Sequence, residues 1–165
     1  MDLEKDYLKS IVYSPAVVEF VTVAVRYCAF LENLQSEGEQ VFSSTAIKLL
    51  PLLYIKATLL PENEPILDEE VETFVDEETY SLIAGKIAAV MMESDTYLEV
   101  FLQDMKYSET PISAFISEDL ADIYQDVKNF ACVYETGITE NMNDALYVCN
   151  EHFKDYWGQK LVNVL

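Results

Sequence analysis

Four carboxylates have the spacing in this chain that most suggests chemistry. Glu118, Asp119, Asp122 and Asp126 recur at steps of three and four, which stacks them on one face of a helix. Carboxylates arranged this way could hold magnesium beside a phosphate, the chemistry of an all-α phosphohydrolase. That chemistry uses Glu-Glu-x-x-Glu, then Glu-x-x-Asp on another helix. Here Glu69-Glu70-Val71-Glu72 has the wrong spacing, and Asp122 follows Glu118 at four, not three. No Lys or Arg is placed to grip the phosphates. A polar stripe opposite Leu120, Ile123 and Val127 is what any bundle helix shows, and that plainer reading is preferred.

His152 is the sole histidine. It lies three residues after Cys149 and next to Glu151. A zinc or di-iron bundle needs further His or Cys ligands, or several inward carboxylates. The expectation is therefore a core-edge histidine bonded to a carbonyl or carboxylate, with no metal and no cofactor. Residues 61–78 hold nine acids and no base, among them Glu69, Glu70, Glu72 and Asp76. The segment lacks the glycine and the ligand spacing of an EF-hand. It reads as a solvated loop whose acids favour the next helix N-terminus, or as a docking surface for a basic protein. No phosphate loop, dinucleotide fingerprint or Gly-x-Ser-x-Gly occurs, and nothing assembles an activated nucleophile. Tyr13, Tyr97 and Tyr107 fall at helix ends or in loops, where exposed tyrosines suit an interface.

Composition sets the frame for these groups. The chain has 165 residues, thirty acids and ten bases, for a net charge of −20. A nucleic-acid backbone requires clustered Lys and Arg, and there is no such cluster. Anionic membrane surfaces are disfavoured for the same reason. The charge suits a basic protein partner, and in the plainer reading it only keeps the domain in solution. Only four Gly and five Pro argue for long regular elements. Cys28, Cys132 and Cys149 sit in apolar helical contexts without Cys-x-x-Cys, as core residues of a reducing compartment do. The N-terminus has no basic segment followed by an apolar run, so no signal peptide is expected, and the cytoplasm is the default.

The elements that must position these groups are helical. Residues 2–13 read as a short amphipathic helix. Ser14-Pro15 restarts the chain as N-cap and first helical residue, and a second helix runs to about Gln35. A third, from Glu39 to Leu60, contains Pro51, so a kink or a division is expected there. The irregular segment 61–78 should pack down through Ile66, Leu67, Val71, Phe74 and Val75. A capped helix starts near Asp76. Residues 97–101 read as a short extended piece or one helical turn, and 104–110 as polar loop. A fifth long helix is expected from near Pro111 to about Glu135. A continuous last helix, 139–165, should present Met142, Leu146, Cys149, Phe153, Trp157 and Leu161 on one face.

Three segments carry a resemblance: Leu49-Leu50-Pro51-Leu52-Leu53-Tyr54-Ile55-Lys56, Ser117 through Phe130, and Met142-Asn143-Asp144-Ala145-Leu146 running on to Tyr156-Trp157-Gly158-Gln159-Lys160-Leu161-Val162-Asn163. Together they resemble a domain-of-unknown-function family of small acidic proteins from Bacteroides-type bacteria, over nearly the whole chain. The resemblance implies an all-helical cytoplasmic domain and no established activity, ligand or catalytic residue. It also implies a few residues beyond Leu165.

The sequence therefore predicts an all-α, single-domain bundle of about six helices spanning 1–165, with one acidic irregular loop around 61–78. Its candidate groove is Asp122, Tyr124, Asp126, Trp157 and Lys160, should these converge. Gly158, beside Trp157, calls for close approach of a helix or an aromatic ring. The leading function is a non-catalytic acidic interaction module docking a basic partner protein. The alternatives are a magnesium-dependent phosphohydrolase using Glu118, Asp119, Asp122 and Asp126, and a plain homodimer through an exposed apolar-aromatic patch.

Overall fold

A computed structural model describes residues 2–36, 38–99 and 111–165. The helices are α1 (Asp2–Val12), α2 (Pro15–Glu32), α3 (Glu39–Thr58), α4 (Glu77–Met91), α5 (Ile116–Glu135), α6 (Thr139–His152) and α7 (Gly158–Val164). A five-residue π turn, Phe153–Trp157, joins α6 to α7. Two short strands, β1 (Thr96–Glu99) and β2 (Ile112–Phe115), pair antiparallel, Thr96 opposite Phe115. The protein is an all-α domain carrying one small ribbon.

The helical hub is α5, which packs against α2, α4, α6 and α7. Its inward residues Leu120, Ile123, Tyr124, Val127 and Phe130 are buried. They meet Phe20 of α2, whose ring centroid lies 5.5 Å from that of Phe130. Trp157 is fully buried, 6.5 Å from Phe20 and 4.7 Å from Phe153, centroid to centroid. Tyr27 of α2 buries its ring and donates to the Leu120 carbonyl at 2.7 Å, so its polar atom is satisfied inside the core.

Several boundaries differ from expectation, each for a local reason. Pro15 does occupy the first turn of α2, but the Ser14 side chain makes no capping bond. Pro51 lies inside α3 without dividing it. It removes the bond to the Ile47 carbonyl, on a flank of the helix open to water. The fifth helix starts at Ile116, because residues 112–115 pair as a strand instead. Its first turn is capped from a distance: the buried Asp95 carboxylate accepts from the Ser117 N–H and the Ser117 hydroxyl, both at 2.7 Å. Residues 97–99 are extended, as one of the two readings had it; 100 and 101, the loop 104–110 and Tyr107 lie outside the described residues.

The last helix is not continuous. At the π turn the Gly158 N–H reaches back five residues to the Phe153 carbonyl. Gly158 is required there: a Cβ would stand 2.5 Å from that carbonyl oxygen and 2.9 Å from the Phe153 ring. An aromatic ring is indeed what approaches it. Among the described residues no single helix is long and apolar enough to cross a membrane. The α1–α2 pair, bent by 49°, reaches that length and composition only when taken together.

Candidate functional site

The α5 carboxylates split into two groups, one on each side of a helical turn. Asp119 and Asp122 converge on Lys160 of α7, whose ammonium lies 2.9 Å from Asp119 Oδ1 and 3.0 Å from Asp122 Oδ2. Three phenols complete the cluster. Tyr97 from β1 donates to Asp119 Oδ2. Tyr80 from α4 donates to Asp122 Oδ1 at 2.8 Å, and Tyr156 from the π turn donates to Asp122 Oδ2 at 3.0 Å. The Lys160 ammonium also stands 5.0 Å over the Tyr156 ring, a cation–π contact. All four oxygens of the two carboxylates are thus engaged by donors of the protein itself.

The electrostatics follow from that arrangement. Burial disfavours the Lys160 ammonium, but its bonds to Asp119 and Asp122 outweigh this and raise its pKa. Burial and the Asp122 carboxylate both push the Tyr80 phenol up; burial and Asp119 do the same to Tyr97. In each case the neutral phenol is the better donor to the ionised carboxylate.

Asp126 faces a different neighbour. Its Oδ1 lies 2.6 Å from His152 Nδ1. Burial raises the Asp126 carboxyl, and the bond to His152 opposes this without cancelling it. The pair edges a small cavity of about 80 Å3 that includes Thr73, Asn129 and Cys149. His152 therefore bonds a carboxylate, as expected, but is itself exposed, its side chain 54% open to solvent. Glu118 is exposed. Among the described residues no group of three or more His, Cys, Asp or Glu is placed to hold a metal ion.

Of the predicted groove, Asp122 and Lys160 meet directly, with Asp126 one turn further on. Tyr124 and Trp157 are not part of it. The Tyr124 hydroxyl leaves α5 on another side and donates to Glu32 at 2.8 Å; Glu32 pairs in turn with Lys128 at 2.6 Å. The Trp157 ring is in the core, its N–H donating to the Cys149 carbonyl at 3.2 Å. Both follow the buried side of their helices, to which the stripe of the last helix had assigned Trp157. Asp119, Tyr80 and Tyr156 were missing from the predicted groove. Tyr97, expected as an exposed interface tyrosine, is half-buried on Asp119. Tyrosines at these positions carry no spacing signal relative to α5, since they come from three other elements.

The acidic segment is a strap over residues 61–76 without a backbone ladder of its own, and Glu77 and Glu78, expected in it, open α4 instead. It is held by polar side chains of α5 and α6. Asp144 accepts from the Ile66 and Leu67 N–H groups at 2.9 and 2.8 Å. Asn143 donates to the Glu64 carbonyl at 2.8 Å and receives Asn63. Asn129 accepts from the Phe74 and Val75 N–H groups at 2.7 and 2.9 Å. Of the expected apolar anchors only Val75 is buried and Val71 half-buried; Ile66, Leu67 and Phe74 stay exposed. The strap is tied down by two amides and a carboxylate, of which Asn143 and Asp144 are buried, more than by hydrophobic contact. Asn143-Asp144 was the available signal, two polar residues inside the apolar run of α6.

Fixing the strap this way leaves its acids outside. Glu69, Glu70, Glu72 and Asp76 are all exposed. The first three edge a cavity of about 180 Å3 floored by Val133 and Asp144. Asp76 has a second task as N-cap of α4, accepting from the Thr79 N–H at 2.7 Å. The Thr79 hydrogen bonds hold its carboxyl below the ordinary range.

The family described as Domain of unknown function (DUF5063) matches residues 11–165. The chain belongs to the DUF5063 family. It is similar to the crystal structure of protein BF1032 from Bacteroides fragilis, at 47% identity and a TM-score of 0.84. That match covers 93% of this chain and 90% of the other. No curated protein matches it. The resemblance carried by α3, α5 and α6 thus identifies the right kind of family. DUF5063 membership brings a fold and no activity to transfer to the Lys160 cluster or the strap.

Proposed function

We propose that this protein is a non-catalytic interaction module whose acidic strap docks a basic partner protein. The observation that carries the reading is the strap itself: a segment of seven acids and no base, held by Asn129, Asn143 and Asp144 with its acids outward and followed by Glu77 and Glu78 of α4. A surface already ordered before binding loses less conformational entropy when a partner arrives. Opposed charge speeds encounter and is sensitive to salt. A nucleic-acid enzyme, whose substrate the strap would mimic in charge, is one such partner. The free thiols suit a cytoplasmic setting.

The phosphohydrolase reading is weaker on this geometry. Magnesium requires carboxylate oxygens, and those of Asp119 and Asp122 are already taken by Lys160 and three tyrosines.

The test is a tagged pull-down at low and high salt, run beside a strap variant with Glu69→Gln, Glu70→Gln and Glu72→Gln. The expected result is a basic protein captured by the wild type at low salt, released at high salt and poorly held by the variant. Equal capture by the variant, or capture that high salt does not release, overturns the reading.

A further inference from the structure

The outward side of α3 carries a second apolar stripe. Val41, Thr45, Lys48, Leu52, Ile55 and Leu59 follow one another at steps of four and three, the heptad spacing of a coiled-coil seam. The inward residues of α3, from Phe42 to Ala57, are buried in the core. The seam is open: Val41 is 58% exposed, Leu52 42%, Ile55 52% and Leu59 56%. A helix apolar on two sides belongs inside an assembly, and here one side is uncovered. Val18, Thr22 and Val25 continue the exposed surface on α2 with the same steps. Between the two helices runs an open groove of about 530 Å3, lined by Arg26, Ala29, Phe30, Lys48, Leu49 and Leu52 among others.

Charge selects what covers this face. Helix α2 carries Glu19, Arg26 and Glu32, and α3 carries Glu39, Lys48 and Lys56: three acids and three bases, a net of zero. The strap has seven acids and no base, and α5 has five acids and one base. Arg26 and Lys48 have no ion-pair partner among the described residues. A basic protein finds no net negative charge here to attract it. Two copies of a −20 chain, by contrast, repel most through their acidic surfaces and least across α2 and α3, where salt screens the charges further away.

We propose that two copies of this chain form a symmetric dimer through the α2–α3 face, α3 seam against α3 seam. An isologous contact uses the same patch on both copies, so the heptad stripe meets its own repeat and Val41, Leu52, Ile55 and Leu59 leave water. Lys48 is the single charge in the seam and, with Arg26, borders the groove. The face uses none of the strap's residues, so dimerisation and docking of a basic partner stand or fall separately.

The test is the mass of the full chain in solution by light scattering after size exclusion, across low to high micromolar concentration and at two salt strengths. The expected result is a doubled mass that persists at high salt, because apolar burial is not screened. The double variant Leu52→Glu, Ile55→Glu should give a single-chain mass with an unchanged circular dichroism spectrum. Ile47→Glu, which replaces an exposed aliphatic of α3 off the seam, should leave the dimer intact. A single-chain mass for the wild type at every concentration overturns the proposal. So does a dimer that survives the double variant, or one that Ile47→Glu disrupts equally.

Discussion

Lys160 holds its ammonium 2.9 Å from Asp119, a carboxylate whose side chain is only 6% exposed. Removing the lysine leaves a nearly buried charge opposed, among the described residues, only by the Tyr97 hydroxyl. Breaking a buried pair by deleting one partner costs about 3–5 kcal/mol. Lys160 is itself 23% exposed, so Lys160→Met should destabilise by about 2–3 kcal/mol, read as a lower urea midpoint. An unchanged midpoint would mean that the phenols alone satisfy the two carboxylates. Magnesium should leave the wild-type melting temperature where it is; a rise would favour the phosphohydrolase reading.

Gly158→Ala should destabilise even though alanine is the better helix former by about 1 kcal/mol. The added Cβ meets a backbone carbonyl at 2.5 Å, which cannot turn aside as a flexible side chain would. Overpacking of this kind costs about 1–3 kcal/mol, more than propensity returns. Thermal melts of the two proteins decide it, and a more stable variant would mean that the π turn relaxes to an ordinary helix.

Alkaline pH should unfold the protein cooperatively. Burial leads the causes that raise the phenols of Tyr27, Tyr80, Tyr97, Tyr124, Tyr134 and Tyr156. A phenol with a raised pKa binds its proton more tightly folded than unfolded, so stability falls as pH rises past the ordinary 10.0. Lys160 acts in the same direction: its ion pairs contribute fully below the ordinary 10.5 and are lost as pH climbs through the raised value. Tyrosinate absorbance followed beside circular dichroism should show Tyr27 and Tyr124, the two buried phenols, ionising only with loss of helix. Full ionisation with the helices intact would contradict their burial.

The strap should loosen when Asp144→Ala removes the acceptor for two backbone N–H groups. Each unsatisfied buried donor costs about 1–3 kcal/mol; these two are part-buried, so the low end applies. Hydrogen exchange should rise around Ile66 and Leu67, and low-salt capture of a basic partner should weaken although every outward acid remains. Unchanged exchange there would mean that Asn129 and Asn143 suffice.

Cys28 and Cys149 should resist thiol reagents in the folded state. Burial pushes the Cys28 thiol up to about 12 and the Cys149 thiol well above its ordinary value, and the thiolate is the reactive form. Mass spectrometry after brief labelling should find modification confined to Cys132, the half-buried one of the three, and slow there too. Rapid labelling of Cys149 would place α6 in motion.

The periodic parts of this molecule were readable in the sequence because burial repeats with the helix. Phe20, Leu53, Ile123, Leu146 and Trp157 all lie where the 3.6-residue pattern puts them, and Asp76 caps the helix it precedes. What escaped depends on groups meeting across the chain. Asp95 caps α5 from 22 residues away, so no local motif announces that helix start. The π turn has no composition of its own, and the glycine that permits it gave only a hint of crowding. Lys160 and Asp122 were placed together only as a supposed convergence, since no spacing relates α7 to α5. Tyr80 and Tyr156 were not, because a tyrosine fits a core edge equally well with its hydroxyl in water.

The π turn at Phe153–Trp157 works as a phase shifter. An ordinary helix advances about 100° per residue, and a π turn accommodates roughly one extra residue within a turn. Everything after Trp157, including Lys160, therefore sits about one residue's rotation away from where an unbroken helix would carry it. In terms of chain length, this is the position along the last 27 residues where the sequence could lose one residue while both flanks keep their facing: α6 toward the strap, and Lys160 toward Asp119 and Asp122.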